Sequence, residues 1–127
     1  MKTGIHSPIG IFDSGIGGLT VVKSVRKVLP NESILYFGDT ARVPYGIKSE
    51  EVITRYAVEI TNFLKKHHVK MVLIACNSVS AVARNAVIQA AGDIPVLDVI
   101  TAGKKAAIAT GFTQIGVIGT LATIGSG

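Results

Sequence analysis

The sequence predicts an α/β fold built on an open, mainly parallel sheet with helices on both faces. Three observations predict it. Short apolar runs of strand length alternate with longer stretches in which apolar residues recur every three or four positions. The alternation is regular, and parallel strands need crossover connections of this kind, with right-handed crossovers placing helices on the sheet. Apolar residues make up 48% of 127, enough for one compact core, and no long polar tract interrupts them.

The elements follow in order. A first strand is predicted over 8–12. Leu19, Val22, Val25, Val28 and Leu29 then repeat at helical spacing and stop at Pro30, which has no N–H with which to continue a helix. A second strand is predicted over 33–38. Ser49 is placed as an N-cap, with Glu50 and Glu51 in the first turn, where the helix dipole favours negative charge. Val52, Tyr56, Ile60, Phe63 and Leu64 share one face of that helix, which should run to about His68. The third strand, over 70–76, ends at Cys76. A helix from about Ser78 carries Val79, Val82, Ala83, Ala86 and Val87, and Gly92 is placed to end it. A fourth strand over 94–100, a helix over 101–110 stopped by Gly111, and a fifth strand over 114–119 complete the pattern.

Composition narrows the function. The formal charge of +5 comes from 13 scattered basic residues with only the pairs Lys65-Lys66 and Lys104-Lys105, a solvated surface and no nucleic-acid footprint. A single cysteine excludes an intrachain disulfide and a cysteine-rich zinc site, so Cys76 is either structural or reactive. No apolar run is long enough for a membrane span, and the N-terminus lacks the apolar core of a secretory signal, so a cytoplasmic protein is expected. His6, His67 and His68 are expected on the surface, with no catalytic or metal role.

Ligands of open α/β sheets bind beyond the carboxyl ends of the strands, and the unusual residues of this chain fall there. The first strand runs into Asp13-Ser14-Gly15-Ile16-Gly17-Gly18. Two readings are open: an anion site in which backbone N–H groups meet a carboxylate while Asp13 meets an ammonium or orients a base, or simply a tight strand-to-helix turn. Neither the phosphate-binding Gly-Lys-Ser/Thr ending nor the dinucleotide spacing G-x-G-x-x-G is present. The second strand leads into Gly38-Asp39-Thr40-Ala41-Arg42-Val43-Pro44-Tyr45-Gly46. Tyr45 there either walls a small pocket or packs on the surface of a turn shaped by Pro44 and Gly46, and Asp39 with Arg42 forms a candidate local ion pair. Cys76 is an inert core residue or, at a helix N-terminus that favours the thiolate, a base or nucleophile. Asn77 and Ser78 add hydrogen-bonding groups beside it.

Together, Asp-Ser-Gly-Ile-Gly-Gly-Leu, Asp-Thr-Ala-Arg-Val-Pro-Tyr-Gly and Ala-Cys-Asn-Ser-Val-Ser-Ala, in this order at these strand ends, resemble the glutamate racemase family, and Val-Ile-Gly-Thr-Leu-Ala-Thr extends the likeness. The resemblance implies cofactor-independent interconversion of L- and D-glutamate by two thiols, without a metal, supplying D-glutamate for peptidoglycan. It implies that Cys76 is one proton-transferring thiol, with Asp13 assisting. Asp13, Ser14, Pro44, Tyr45, Gly46, Asn77, Ser78, Thr120 and Thr123 would hold the substrate. Two departures stand out. Ser78 occupies a position where the family usually carries threonine, a change that keeps the hydroxyl. The family's second thiol motif, Gly-Cys-Thr-His, is absent, and Leu-Ala-Thr-Ile-Gly-Ser-Gly breaks off where another helix should begin, as in a fragment. The expected organisation is thus a racemase domain over 1–100 and the start of a following α/β half over 101–127. The partner is expected to be that missing half or a second copy, with activity negligible alone. The alternative is a noncatalytic module binding a small amino or carboxylic acid. Exposed apolar surface is expected where the missing half would sit.

Overall fold

The computed structural model describes residues 4–126. Four parallel strands form one sheet: β1 (Ile9–Asp13), β2 (Ile34–Gly38), β3 (Met71–Ile74) and β4 (Val96–Asp98), in the spatial order β2-β1-β3-β4. Register pairs Phe12 with Phe37 on one side and with Ile74 on the other, and Ile74 with Asp98. The central strand β1 is buried throughout, as a strand flanked on both edges and covered on both faces must be.

Helices do cover both faces. On one side, α1 (Leu19–Val28) lays Val21, Val22 and Val25 against Ile9, Ile11 and Ala75. On the other, α2 (Glu50–Lys66) and α4 (Arg84–Ala91) pack Ile53, Ala57, Ile60, Leu64 and Val87 against Phe12, Val72 and Ile74. Ser49 caps α2 as expected, its side chain accepting from the N–H of Val52. Gly92 and Gly111 follow α4 and α5 (Val99–Ala109) with φ of +67° and +72°, a conformation that favours glycine.

Three expectations are corrected. The helix read as continuous from Ser78 to Gly92 is two, α3 (Asn77–Val82) and α4, broken at Ala83 (φ −119°, ψ 3°). Both pieces pack on α2, but beyond it they serve different neighbours: α3 packs on α5 and the short α6 (Leu121–Gly125), while α4 packs on β4. The fourth strand ends at Asp98 and not near Ile100. Its carboxylate accepts from both the N–H and the hydroxyl of Thr101 at 2.7 Å, turning the chain into α5 two residues early. No fifth strand forms over 114–119: Ile115, Val117 and Ile118 are exposed, and no ladder partner lies alongside them. Alternating apolar residues give a segment the pattern of a strand, but pairing needs a neighbour. Exposed apolar residues run through Leu97, Ile108, Phe112, Ile118 (98% exposed) and Leu121. Among the described residues no helix is long and apolar enough to cross a membrane.

Candidate active site at the ends of the first and third strands

From β1 the chain crosses to β2 on one side, and later to β3 on the other, so the connections diverge between β1 and β3. Such a switch point opens a crevice at the carboxyl ends of the strands. A cleft of about 570 Å³ lies there, lined by Asp13, Ser14 and the glycine turn from β1, by Ala75, Cys76, Asn77 and Ser78 after β3, and by Thr120.

Asp13 closes β1 and is buried. Its Oδ2 accepts from the N–H groups of Gly18 at 2.9 Å and Gly15 at 3.2 Å, so the carboxylate holds the glycine turn and the start of α1 together. The absence of a side chain at Gly18 is needed here, because a Cβ would lie 2.6 Å from Cβ of Asp13 and 3.1 Å from Cβ of Ala75. Those contacts also place Asp13 beside the Ala75-Cys76 step. Ser14 is half-buried in the same turn.

Cys76 sits just past β3, 5% exposed, as the N-cap residue of α3, and its carbonyl accepts from both the N–H and the hydroxyl of Ser80. Asn77 is exposed at the cleft mouth. Ser78 is buried, and its hydroxyl pairs with that of Thr120 at 3.0 Å. Thr120 in turn caps α6, its side chain accepting from Thr123 N–H and lying 3.0 Å from the Thr123 hydroxyl. Thr123 borders a second, larger cavity of about 970 Å³ that also touches Asn77 and Thr120.

The loop after β2 reaches the site differently. Tyr45 neither walls the cleft nor packs on the surface: it is 2% exposed, within the core beside Tyr56, and its hydroxyl donates to Asp39. Burial first, then the hydrogen bond to and the charge of Asp39, hold that hydroxyl's pKa far above the ordinary phenol range. The ion pair expected between Asp39 and Arg42 is present at 2.6 Å, and Arg42 also reaches Glu59 at 2.6 Å and lies 4.0 Å over the Tyr56 ring. Burial lowers the Arg42 pKa, but these two carboxylates outweigh it and the net shift is upward. Pro44 is exposed, following a cis peptide bond. Gly46 lies against Thr120, where a Cβ would come within 2.7 Å, and its carbonyl accepts from Ala122 N–H at 3.4 Å. The loop therefore meets the site through backbone. His6, His67 and His68 are exposed, as expected.

The model of the Asp/Glu/Hydantoin racemase family matches residues 19–127. The chain belongs to that racemase family. Among curated relatives it is 60% identical over 126 residues to the glutamate racemase of Chlorobaculum tepidum, covering 98% of this chain, and 53% identical to that of Neisseria meningitidis, covering 97%. The crystal structure of glutamate racemase from Francisella tularensis in complex with D-glutamate superposes with a TM-score of 0.89 at 51% identity over 95% of this chain. In each comparison this racemase-family chain spans slightly less than half of the relative's length, 45–46%.

One residue that holds the glycine turn of this racemase-family chain was not singled out in the sequence. Tyr36, in β2, donates its hydroxyl to the Gly15 carbonyl at 2.9 Å. Burial first, then electrostatic interaction with Asp13 and with Cys76, raises its pKa. The signal was available: a tyrosine within an otherwise apolar strand needs a partner for its hydroxyl.

Proposed function

We propose that this chain carries one half of the active site of a cytoplasmic glutamate racemase, supplying D-glutamate for peptidoglycan. The observation that carries the reading is the convergence of Asp13 and Cys76 on one cleft at the switch point of the sheet, in a chain 60% identical to a glutamate racemase. An amino-acid α-proton is very weakly acidic, so racemisation requires a base on one face, an acid on the other and stabilisation of the charge between them. Cys76 exchanges the proton on one face, and Asp13 assists its protonation balance. Ser14, Asn77, Ser78, Thr120 and Thr123 hold the substrate's charged groups. The loop of Pro44, Tyr45 and Gly46 supports the site from behind, with Gly46 against Thr120 and the Tyr45 ring buried in the core.

On this reading residues 1–100 form the racemase domain and 101–127 begin the second α/β half. The opposing thiol comes from that further half or from a second copy, since Cys76 is the only cysteine. The exposed apolar residues between Leu97 and Ile124 support a partner on that side. The same single thiol favours a second reading, a noncatalytic module that binds a small amino or carboxylic acid.

Proton NMR of the chain with L- or D-glutamate in D2O separates the two. Loss of the α-proton signal of one enantiomer without inversion, abolished by Cys76→Ala, is the expected signature of a half-site. Inversion means that the second acid is supplied by pairing. Saturable glutamate binding without exchange assigns the noncatalytic module, and neither binding nor exchange sinks both readings for the isolated chain.

A further inference from the structure

We infer that Tyr36 is a positioning residue for the Asp13–Cys76 pair, acting through Gly15. The inference rests on the proton-transfer reading above for its purpose, but not for its geometry. Gly15 is pinned through both of its backbone polar groups: its N–H donates to Oδ2 of Asp13 at 3.2 Å and its carbonyl accepts from the Tyr36 hydroxyl at 2.9 Å. Gly38 backs the same carbonyl so closely that a Cβ there would lie 2.3 Å from the oxygen. The turn is thereby clamped between its own carboxylate and a neighbouring strand.

Tyr36 is well placed for this. It lies in β2, hydrogen-bonded in register to β1, with its ring packed on the Ile9, Ile11 and Ala75 cluster, so its hydroxyl is fixed by the sheet and not by a loop. That hydroxyl would lie 3.0 Å from a Cβ on Gly18, the residue whose N–H gives Asp13 its shorter hydrogen bond. A glycine turn without such a clamp has wide conformational freedom, and the carboxylate it binds would share that freedom. With the clamp, the Asp13 carboxylate is held in place in the cleft that Cys76 also borders. Tyr36 itself is not among the residues that border the cleft, so it acts on the chemistry only through the turn.

Because Cys76 is the only cysteine, its alkylation by iodoacetamide reports the pair without substrate. The test compares the pH profile of alkylation in the wild-type chain, Tyr36→Phe and Tyr56→Phe, the last deleting a hydroxyl outside the cleft. Tyr36→Phe is expected to move the profile by about half a pH unit or more, roughly threefold in rate at a fixed pH below the midpoint, because the carboxylate that shares the cleft with the sulfur is then no longer held in place. Tyr56→Phe leaves it in place. Superimposable wild-type and Tyr36→Phe profiles overturn the inference, as does an equal shift in both variants. Should Tyr36→Phe fail to fold, a second measurement needs no variant. In the wild-type chain, amide hydrogen exchange at Gly15 and Gly18 is expected to be slowed well below the unfolded rate by their bonds to the held carboxylate, and unprotected amides there count against the clamp. A shifted alkylation profile in a chain that exchanges no glutamate proton leaves the clamp standing and removes only the reading of the isolated chain as a working half-site.

Discussion

Replacing Gly38 by alanine tests the packing of the glycine turn directly. The backbone at Gly38 is open to any residue, so the only obstacle is space, and the obstructing atom is the Gly15 carbonyl oxygen at 2.3 Å. A flexible side chain would yield cheaply, but this oxygen is backbone and is held by Tyr36. Overpacking of this kind costs about 1–3 kcal/mol, and displacing the carbonyl from its hydroxyl adds about 1. The reduced freedom of the unfolded chain returns about 0.4–1 kcal/mol, leaving a net loss of about 2. At about 2 cal/mol/K of unfolding entropy per residue over 127 residues, 1 kcal/mol moves Tm by roughly 4 °C, so Gly38→Ala should melt about 8 °C low. Gly103→Ala is the matched control. That glycine lies inside α5 with no atom within 4 Å of an added Cβ, and alanine there should gain about 1 kcal/mol and raise Tm by roughly 4 °C. Thermal unfolding followed by far-UV circular dichroism reads both. Gly38→Ala melting at or above the wild type would refute the close approach of β2 to the glycine turn and, with it, the clamp on Gly15.

Three further outcomes are expected. Folding holds the Tyr45 proton more tightly than the unfolded chain does, so its contribution is complete below about pH 10 and declines as pH rises beyond it. Tyr45→Phe should cost about 1 kcal/mol at neutral pH and flatten that alkaline decline in urea titrations, whereas an undiminished decline would place the dependence elsewhere. At Asp98 burial favours the neutral acid, but the Thr101 N–H, the Thr101 hydroxyl and Arg84 outweigh it and lower the pKa. Its contribution is therefore present above roughly pH 4 and lost as pH falls through the folded-state value; Asp98→Ala should cost about 1–2 kcal/mol at pH 7 and weaken the acid limb. Ser78→Ala removes the hydroxyl paired with Thr120 and should cost about 1 kcal/mol while speeding amide exchange over 121–125; unchanged exchange there would show that α6 is held without it.

The sheet and most of its helices were legible because each strand run is apolar and each early helix has a recognisable stop or cap: Pro30 after α1, Ser49 before α2, Gly92 after α4. The errors have a common origin in tertiary contacts. Ala83 has no breaking residue type, and the bend there reflects the different neighbours of α3 and α4. Residues 114–119 have strand composition without a strand beside them. In the site, Asp13, Ser14, Cys76, Asn77 and Ser78 were legible because they directly follow strands. Thr120 was found through family likeness alone, since nothing local shows that Ser78, 42 positions earlier, would meet it. Tyr45 illustrates the reverse, a residue whose loop position suggested an exposed or cleft-lining ring until Asp39 drew its hydroxyl inward.

The adjacency of β1 and β3 has a consequence for how the proposed site could change. Residues 9–12 and 71–74 are locked in register at the roughly 4.8 Å spacing of a backbone ladder, whereas Asp13 and Cys76 each stand just beyond that paired stretch. The sheet therefore fixes where the two side chains start, and the glycine turn and the first residues of α3 fix where they finish. Changes in the Pro44–Gly46 loop or in the 120–123 turn leave that starting point untouched, because neither segment belongs to the ladder.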